Sequence, residues 1–136
     1  MAAESASPRQ TVSRVRVRYA ETDQMGVAYH ANYFVWFEVG RTDWLREAGL
    51  TYRQLEAEGL FLPVTDAQCT YKASARYDDD LEVHTTARLV SPVRVGFDYT
   101  LMGPGGRLAT GATVHATLDR QGRPIRVPDR IKELLG

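Results

Sequence analysis

Asp23, Gly26 and His30 stand within one short run, YAETDQMGVAYHANYF (residues 19–34), which ends where a helical pattern begins. A helix N-terminus exposes unpaired N–H groups and the positive end of the helix dipole. An ester or thioester carbonyl resting on those donors is polarised where negative charge develops. A carboxylate nearby can attack that carbonyl or activate a water. Gly26 lets the chain turn sharply or approach a ligand closely, and His30 can orient the carbonyl or a water. An acid, a turn glycine and a helix start therefore describe a site for acyl transfer. The same residues also suit an ordinary turn, in which Asp23 bonds its own backbone and His30 and Asn32 cap the helix. The spacing alone leaves both readings open.

The flanking elements must hold this connection. SRVRVRY (13–19) alternates, with Val15, Val17 and Tyr19 on one face and Arg14, Arg16 and Arg18 on the other, the pattern of a half-buried strand. From Asn32 the period changes: Tyr33, Trp36, Phe37, Gly40, Trp44, Leu45 and Ala48 recur at helical spacing up to Gly49. Gly40 in mid-helix costs about 1 kcal/mol relative to Ala, which predicts close packing there. Thr51 with Gln54 starts a second, short helix over 51–59.

Strands account for most of the remainder. Residues 61–77 read as extended, broken by Pro63. LEVHTTARLV (81–90) and VRVGFDYTLM (93–102) each present one apolar face. In RLATGATVHATL (107–118) the face expected inward is Leu108, Ala112, Val114, Ala116 and Leu118. Turns fall at 103–106 and 119–124, and a short helix at 128–135. The order predicts an α+β domain, a curved five-stranded antiparallel sheet wrapped around one long helix. A single domain is expected over 13–136, after a disordered tail over 1–12. Such a sheet leaves edge strands, and pairing them across a two-fold axis predicts a homodimer at least.

Composition narrows the function. Lys plus Arg and Asp plus Glu are both 17, so no nucleic-acid partner is indicated. Cys69 is the single cysteine, and His30, His84 and His115 show no metal-ligand spacing, so no disulfide framework and no metal are expected. The acids of YDDDLEV (77–83) read as a solvated turn rather than a metal cluster. No apolar run reaches bilayer length and the N-terminus lacks a secretory pattern, which predicts a soluble, cytoplasmic protein.

The segment VRYAETDQMGVAYHANYFVWFEVGRTDWL resembles the opening of hotdog-fold acyl-CoA thioesterases, those of the 4-hydroxybenzoyl-CoA thioesterase type and their YbgC-like branch. The matching positions are Tyr19, Asp23, Gly26-Val27, Tyr29, His30, Ala31 and Tyr33, followed by RTDWLREAG and YKASARYDDDLEV; the resemblance spans roughly residues 12–130. It implies the hotdog fold and hydrolysis of an acyl-CoA to a carboxylic acid and free CoA, with no cofactor beyond the CoA of the substrate. It implies Asp23 as nucleophile or general base and the His30 backbone N–H as the group polarising the carbonyl. Gly26 and Tyr29 are expected among the substrate contacts, and Arg76 or Arg94 at the CoA phosphates. Sites would lie at the interface of a homodimer or homotetramer. Two alternatives stand beside this: an enoyl-thioester hydratase or dehydratase on the same fold, and a non-catalytic acyl-CoA binder.

Overall fold

Aromatic residues at helical spacing need an apolar surface to cover them, and one antiparallel sheet supplies it. The computed structural model describes residues 9–135. The five strands are β1 (Gln10–Arg16), β2 (Val64–Tyr71), β3 (Asp80–Ser91), β4 (Arg94–Gly103) and β5 (Gly106–Ala116), in the spatial order β1-β3-β4-β5-β2. The chain leaves β1 at one edge and passes through α1 (Asn32–Glu47) and α2 (Tyr52–Ala57). It then enters the opposite edge as β2 and returns to pair β3 with β1.

The α1 helix lays Tyr33, Trp36, Phe37, Gly40, Trp44 and Leu45 into the core. Phe37 stacks on Tyr99 of β4 with ring centroids 4.5 Å apart, and Trp44 meets Phe97 edge-on at 5.8 Å. Burying each such ring contributes about 2–3 kcal/mol. The close packing expected at Gly40 is present. A Cβ there would overlap Thr85 Oγ1 and lie 2.9 Å from Val83 Cγ1 on β3. The Thr51 hydroxyl accepts the Gln54 N–H at 3.0 Å, which starts α2 as its sequence predicts.

Five expectations change. Residues 10–12, expected in the tail, belong to β1: Thr11 is buried and donates to Glu47 at 3.1 Å, while Gln10 bonds His84. Residues 1–8 of that expected tail lie outside the described residues. Tyr19 is exposed, because β1 ends at Arg16 and Tyr19–Glu21 form a 3₁₀ turn; Val17 alone carries the inward face onward. Leu108 is buried as expected, beside a register shift against β4, but from Ala109 onward β5 has the opposite phase: Ala109, Thr113 and His115 are buried, and Ala112, Val114 and Ala116 are half-buried on the other side. The inward polar pair is tolerated because it is hydrogen-bonded, with the Thr113 hydroxyl 2.9 Å from His115 Nε2. Residues 72–77 are not strand, since they leave β5 to dock on the connection ahead of α1. The last helix, α3, is only Asp129–Lys132. Among the described residues no helix is long and apolar enough to cross a membrane.

Candidate active site

The connection between β1 and α1 is a small closed loop. Thr22 and Ala28 are bridge partners, and the Asp23 N–H donates to the Val27 carbonyl at 2.9 Å. Gly26 takes φ +78°, the left-handed region that favours glycine, and its N–H donates to the Asp23 carbonyl at 3.0 Å. Asp23 Oδ1 accepts the N–H of Met25 at 2.8 Å and of Val27 at 3.4 Å. Both readings of the sequence thus meet in one side chain. Oδ1 holds the turn, while Oδ2 accepts no hydrogen bond among the described residues.

Glu21 anchors this loop. It is buried, and its carboxylate accepts the Arg18 N–H at 2.8 Å and the Trp36 indole N–H at 3.2 Å. Its carbonyl accepts the Tyr29 N–H at 2.8 Å and the Asn32 side-chain amide at 2.9 Å. One residue therefore ties the end of β1 to the body and the entrance of α1. Sequence reasoning passed over Glu21. The available signal was an acid just ahead of the turn with an indole N–H on the following helix.

A second layer comes from residues 71–77. The Ala28 N–H donates to the Ala75 carbonyl at 2.8 Å, and Val27 bridges Arg76. The Tyr33 hydroxyl accepts the Ala75 N–H at 3.0 Å, and the Tyr71 hydroxyl donates to the His30 carbonyl at 2.9 Å. Tyr71 is 42% exposed as a residue, but desolvation around its hydroxyl pushes the phenol up to about 12, with Cys69 beside it adding to the rise, so it stays a donor at neutral pH. A cavity of about 260 Å³ opens here, lined by Ala28, His30, Tyr33, Tyr71, Lys72 and Ser74 among others. Neither the His30 nor the Ala31 backbone N–H donates a hydrogen bond among the described residues. They stand at the head of the 16-residue α1 as ready donors for an oxyanion.

Across residues 17–135 the sequence matches the model of the thioesterase-like superfamily. The chain belongs to that family. It is 40% identical over 114 residues to YneP of Bacillus subtilis (strain 168), which carries a provisional acyl-CoA thioesterase name; the match covers 82% of this chain and 83% of YneP. It is 33% identical over 120 residues to the acyl-CoA thioesterase YbgC of Haemophilus influenzae, covering 87% and 88%. The structure superposes on that of a DHNA-CoA thioesterase from Staphylococcus aureus with a TM-score of 0.84 and 35% identity, over 91% of this chain and 87% of the other. The fold is accordingly the α+β hotdog fold, and the chain is an enzyme of the hydrolase class.

Of the residues singled out in the sequence of this thioesterase, Asp23, Gly26, Tyr29 and His30 share the loop, and Arg76 joins it through the bridge to Val27. Arg94 does not. It opens β4 opposite Ser91, at the far end of β3 from Asp80, which lies beside Arg16. The 12-residue β3 separates the two ends by roughly 35 Å. The acids at the start of β3 have local partners: Asp78 and Asp80 pair with Arg16 and Arg14, and Asp79 accepts the Arg76 N–H at 2.9 Å.

Proposed function

We propose that this thioesterase hydrolyses acyl-CoA, so that thioester and water give a carboxylic acid and the CoA thiol. The thioester oxygen rests on the His30 backbone N–H, with the α1 dipole behind it. Asp23 then acts in one of two ways. It attacks the carbonyl to form a mixed anhydride, expelling the thiolate, and water hydrolyses the anhydride. Alternatively it takes the proton of a water that attacks directly. Gly26 and Tyr29 border the reacting group, and Arg76 addresses the CoA phosphates. Neither route draws on a cofactor beyond the substrate's CoA, and a cytoplasmic location is part of the proposal.

The observation that carries this reading is the pair of N–H groups at the head of α1 that are unbonded among the described residues, beside a loop whose carboxylate has one oxygen unengaged among them. A homodimer is part of the proposal. None of the eight residues of the edge strand β2 is buried, and Val64 and Tyr71 on it and Val35 on α1 are exposed. A second copy paired along that edge would cover them. Arg94, remote from its own loop, can serve only the site of such a neighbour.

The test is thiol release from a panel of acyl-CoAs by the parent, Asp23→Asn and Asp23→Ala. Release by the parent and its loss in both variants is expected. Parental rates in both variants would remove Asp23 from the mechanism. Loss of an enoyl-CoA's conjugated absorbance without thiol release would make the enzyme a hydratase instead.

A further inference from the structure

Arg41 is a cation sunk into the flank of α1 with little to neutralise it. Its side chain is 12% exposed, and its nearest carboxylate, Glu38, is 4.0 Å away and itself 66% exposed. The Nε–H donates to the Tyr52 hydroxyl at 3.2 Å. Burial works against its charge, and the neighbouring Tyr99 and Tyr52 hydroxyls more than offset that; with five N–H donors, a guanidinium so placed still has donors to spare. Arg41 and Glu38 both line a groove of about 240 Å³ between α1 and the edge strand β2, walled by Phe34, Val35, Val64 and Ala67; Val35 and Val64 are also residues that the second copy of the proposed dimer would cover, so the groove would lie at that interface. Thr113 also lines it, but its hydroxyl is already engaged by the Tyr99 hydroxyl at 2.7 Å and His115 Nε2 at 2.9 Å. A trough with apolar walls that carries the Arg41–Glu38 pair is the remaining chemistry.

The trough is aligned with the site. Phe34 follows His30 by one helical turn and Arg41 follows it by three, about 16 Å along the axis. Helical side chains lean toward the N-terminus, which shortens that span. An acyl chain whose carbonyl sits at His30 and whose tail follows α1 ends at Arg41.

We propose that the groove takes the acyl chain and that Arg41 reads a carboxylate at its far end, making the preferred substrates ω-carboxyacyl-CoAs, the monothioesters of dicarboxylic acids. This rests on the acyl-CoA reading above and names its substrate class. The planar fork of Arg41 matches a carboxylate with two parallel hydrogen bonds. A plain hydrocarbon tail of the same length would instead lay apolar surface against the cation without answering its remaining donors, which is unfavourable. Glu38 sets the limit on this selectivity, since it competes for the guanidinium and repels an incoming carboxylate.

The probes are suberyl-CoA and octanoyl-CoA, equal in chain length and different at the far end. Binding is read by calorimetry on Asp23→Asn, and kcat/KM by thiol release on the parent. Suberyl-CoA is expected to bind about tenfold tighter. Adding Arg41→Gln should abolish the preference, Arg41→Lys should narrow it, and Glu38→Gln should widen it. Equal or tighter binding of octanoyl-CoA, or a preference that survives Arg41→Gln, overturns the proposal. Should Arg41→Gln fail to fold, the exposed Glu38→Gln decides alone, and an unchanged preference there overturns it equally. Absence of thiol release from every acyl-CoA would count against the hydrolase reading, while the binding preference would still stand or fall separately.

Discussion

At the residue scale, Asp23 Oδ1 holds the turn ahead of α1 and Glu21 anchors that turn to the helix. Asp23, Gly26 and His30 are close in sequence, and the structure keeps them on one closed loop. Glu21 was not legible, because its role depends on Trp36, fifteen residues on, whose indole only the fold brings to its carboxylate. Glu21→Gln replaces one acceptor oxygen by an NH₂ facing either the Arg18 N–H or the Trp36 N–H. The loss should be about 1–3 kcal/mol of stability, read by thermal denaturation. Because the same residue fixes the helix entrance through Tyr29 and Asn32, kcat should fall more than KM rises. A purely structural role would lower the melting temperature and leave kcat intact.

At the element scale, α1, β3 and β4 were read with their correct faces because large apolar residues mark them without ambiguity. The β5 strand misled because its inward positions are Thr113 and His115, and its apolar residues Ala112, Val114 and Ala116 look outward. Hydrophobicity indicates the wrong face when the buried polar groups are mutually satisfied, and that satisfaction is invisible in a single strand. Gly40 gives the sharper test of packing. Propensity favours Ala there by about 1 kcal/mol, yet a Cβ would press on Thr85 and Val83. Gly40→Ala should therefore destabilise, by about 1–3 kcal/mol in denaturant titration. A stabilised variant would mean that α1 stands further from the sheet.

At the scale of the whole molecule, the buried imidazole of His115 couples stability to pH. Its Nδ1–H donates to the Leu62 carbonyl at 2.9 Å and its Nε2 accepts from the Thr113 hydroxyl. Burial is the main cause that pulls its pKa down to about 4 from 6.5, with Arg41 adding to it. The unfolded chain thus binds a proton that the folded one refuses over that window. Stability should be unaffected above about pH 6.5, fall by about 1.4 kcal/mol per unit below it, and level off under about pH 4. Comparison of parent and His115→Gln melting from pH 7.5 to 4.5 checks this, the parent losing more. Assembly is tested on the outward side of α1. Val39 lies one turn beyond the exposed Val35 on α1, so Val39→Glu places a charge on the face proposed for the second copy, and light scattering should show the parent dimeric or larger and the variant reduced to monomer. A parent that is itself monomeric would refute the shared interface.

The central claim is that Asp23 does chemistry on a carbonyl held at the head of α1. Asp23→Asn isolates that claim, since the amide keeps the Oδ1 acceptor for Met25 and Val27 and removes only the charge. The measurement is kcat/KM for CoA thiol release by parent and Asp23→Asn, with melting temperatures alongside. A fall of about 10²–10⁴-fold at an unchanged melting temperature is predicted. A parental rate in a folded Asp23→Asn enzyme would contradict the account.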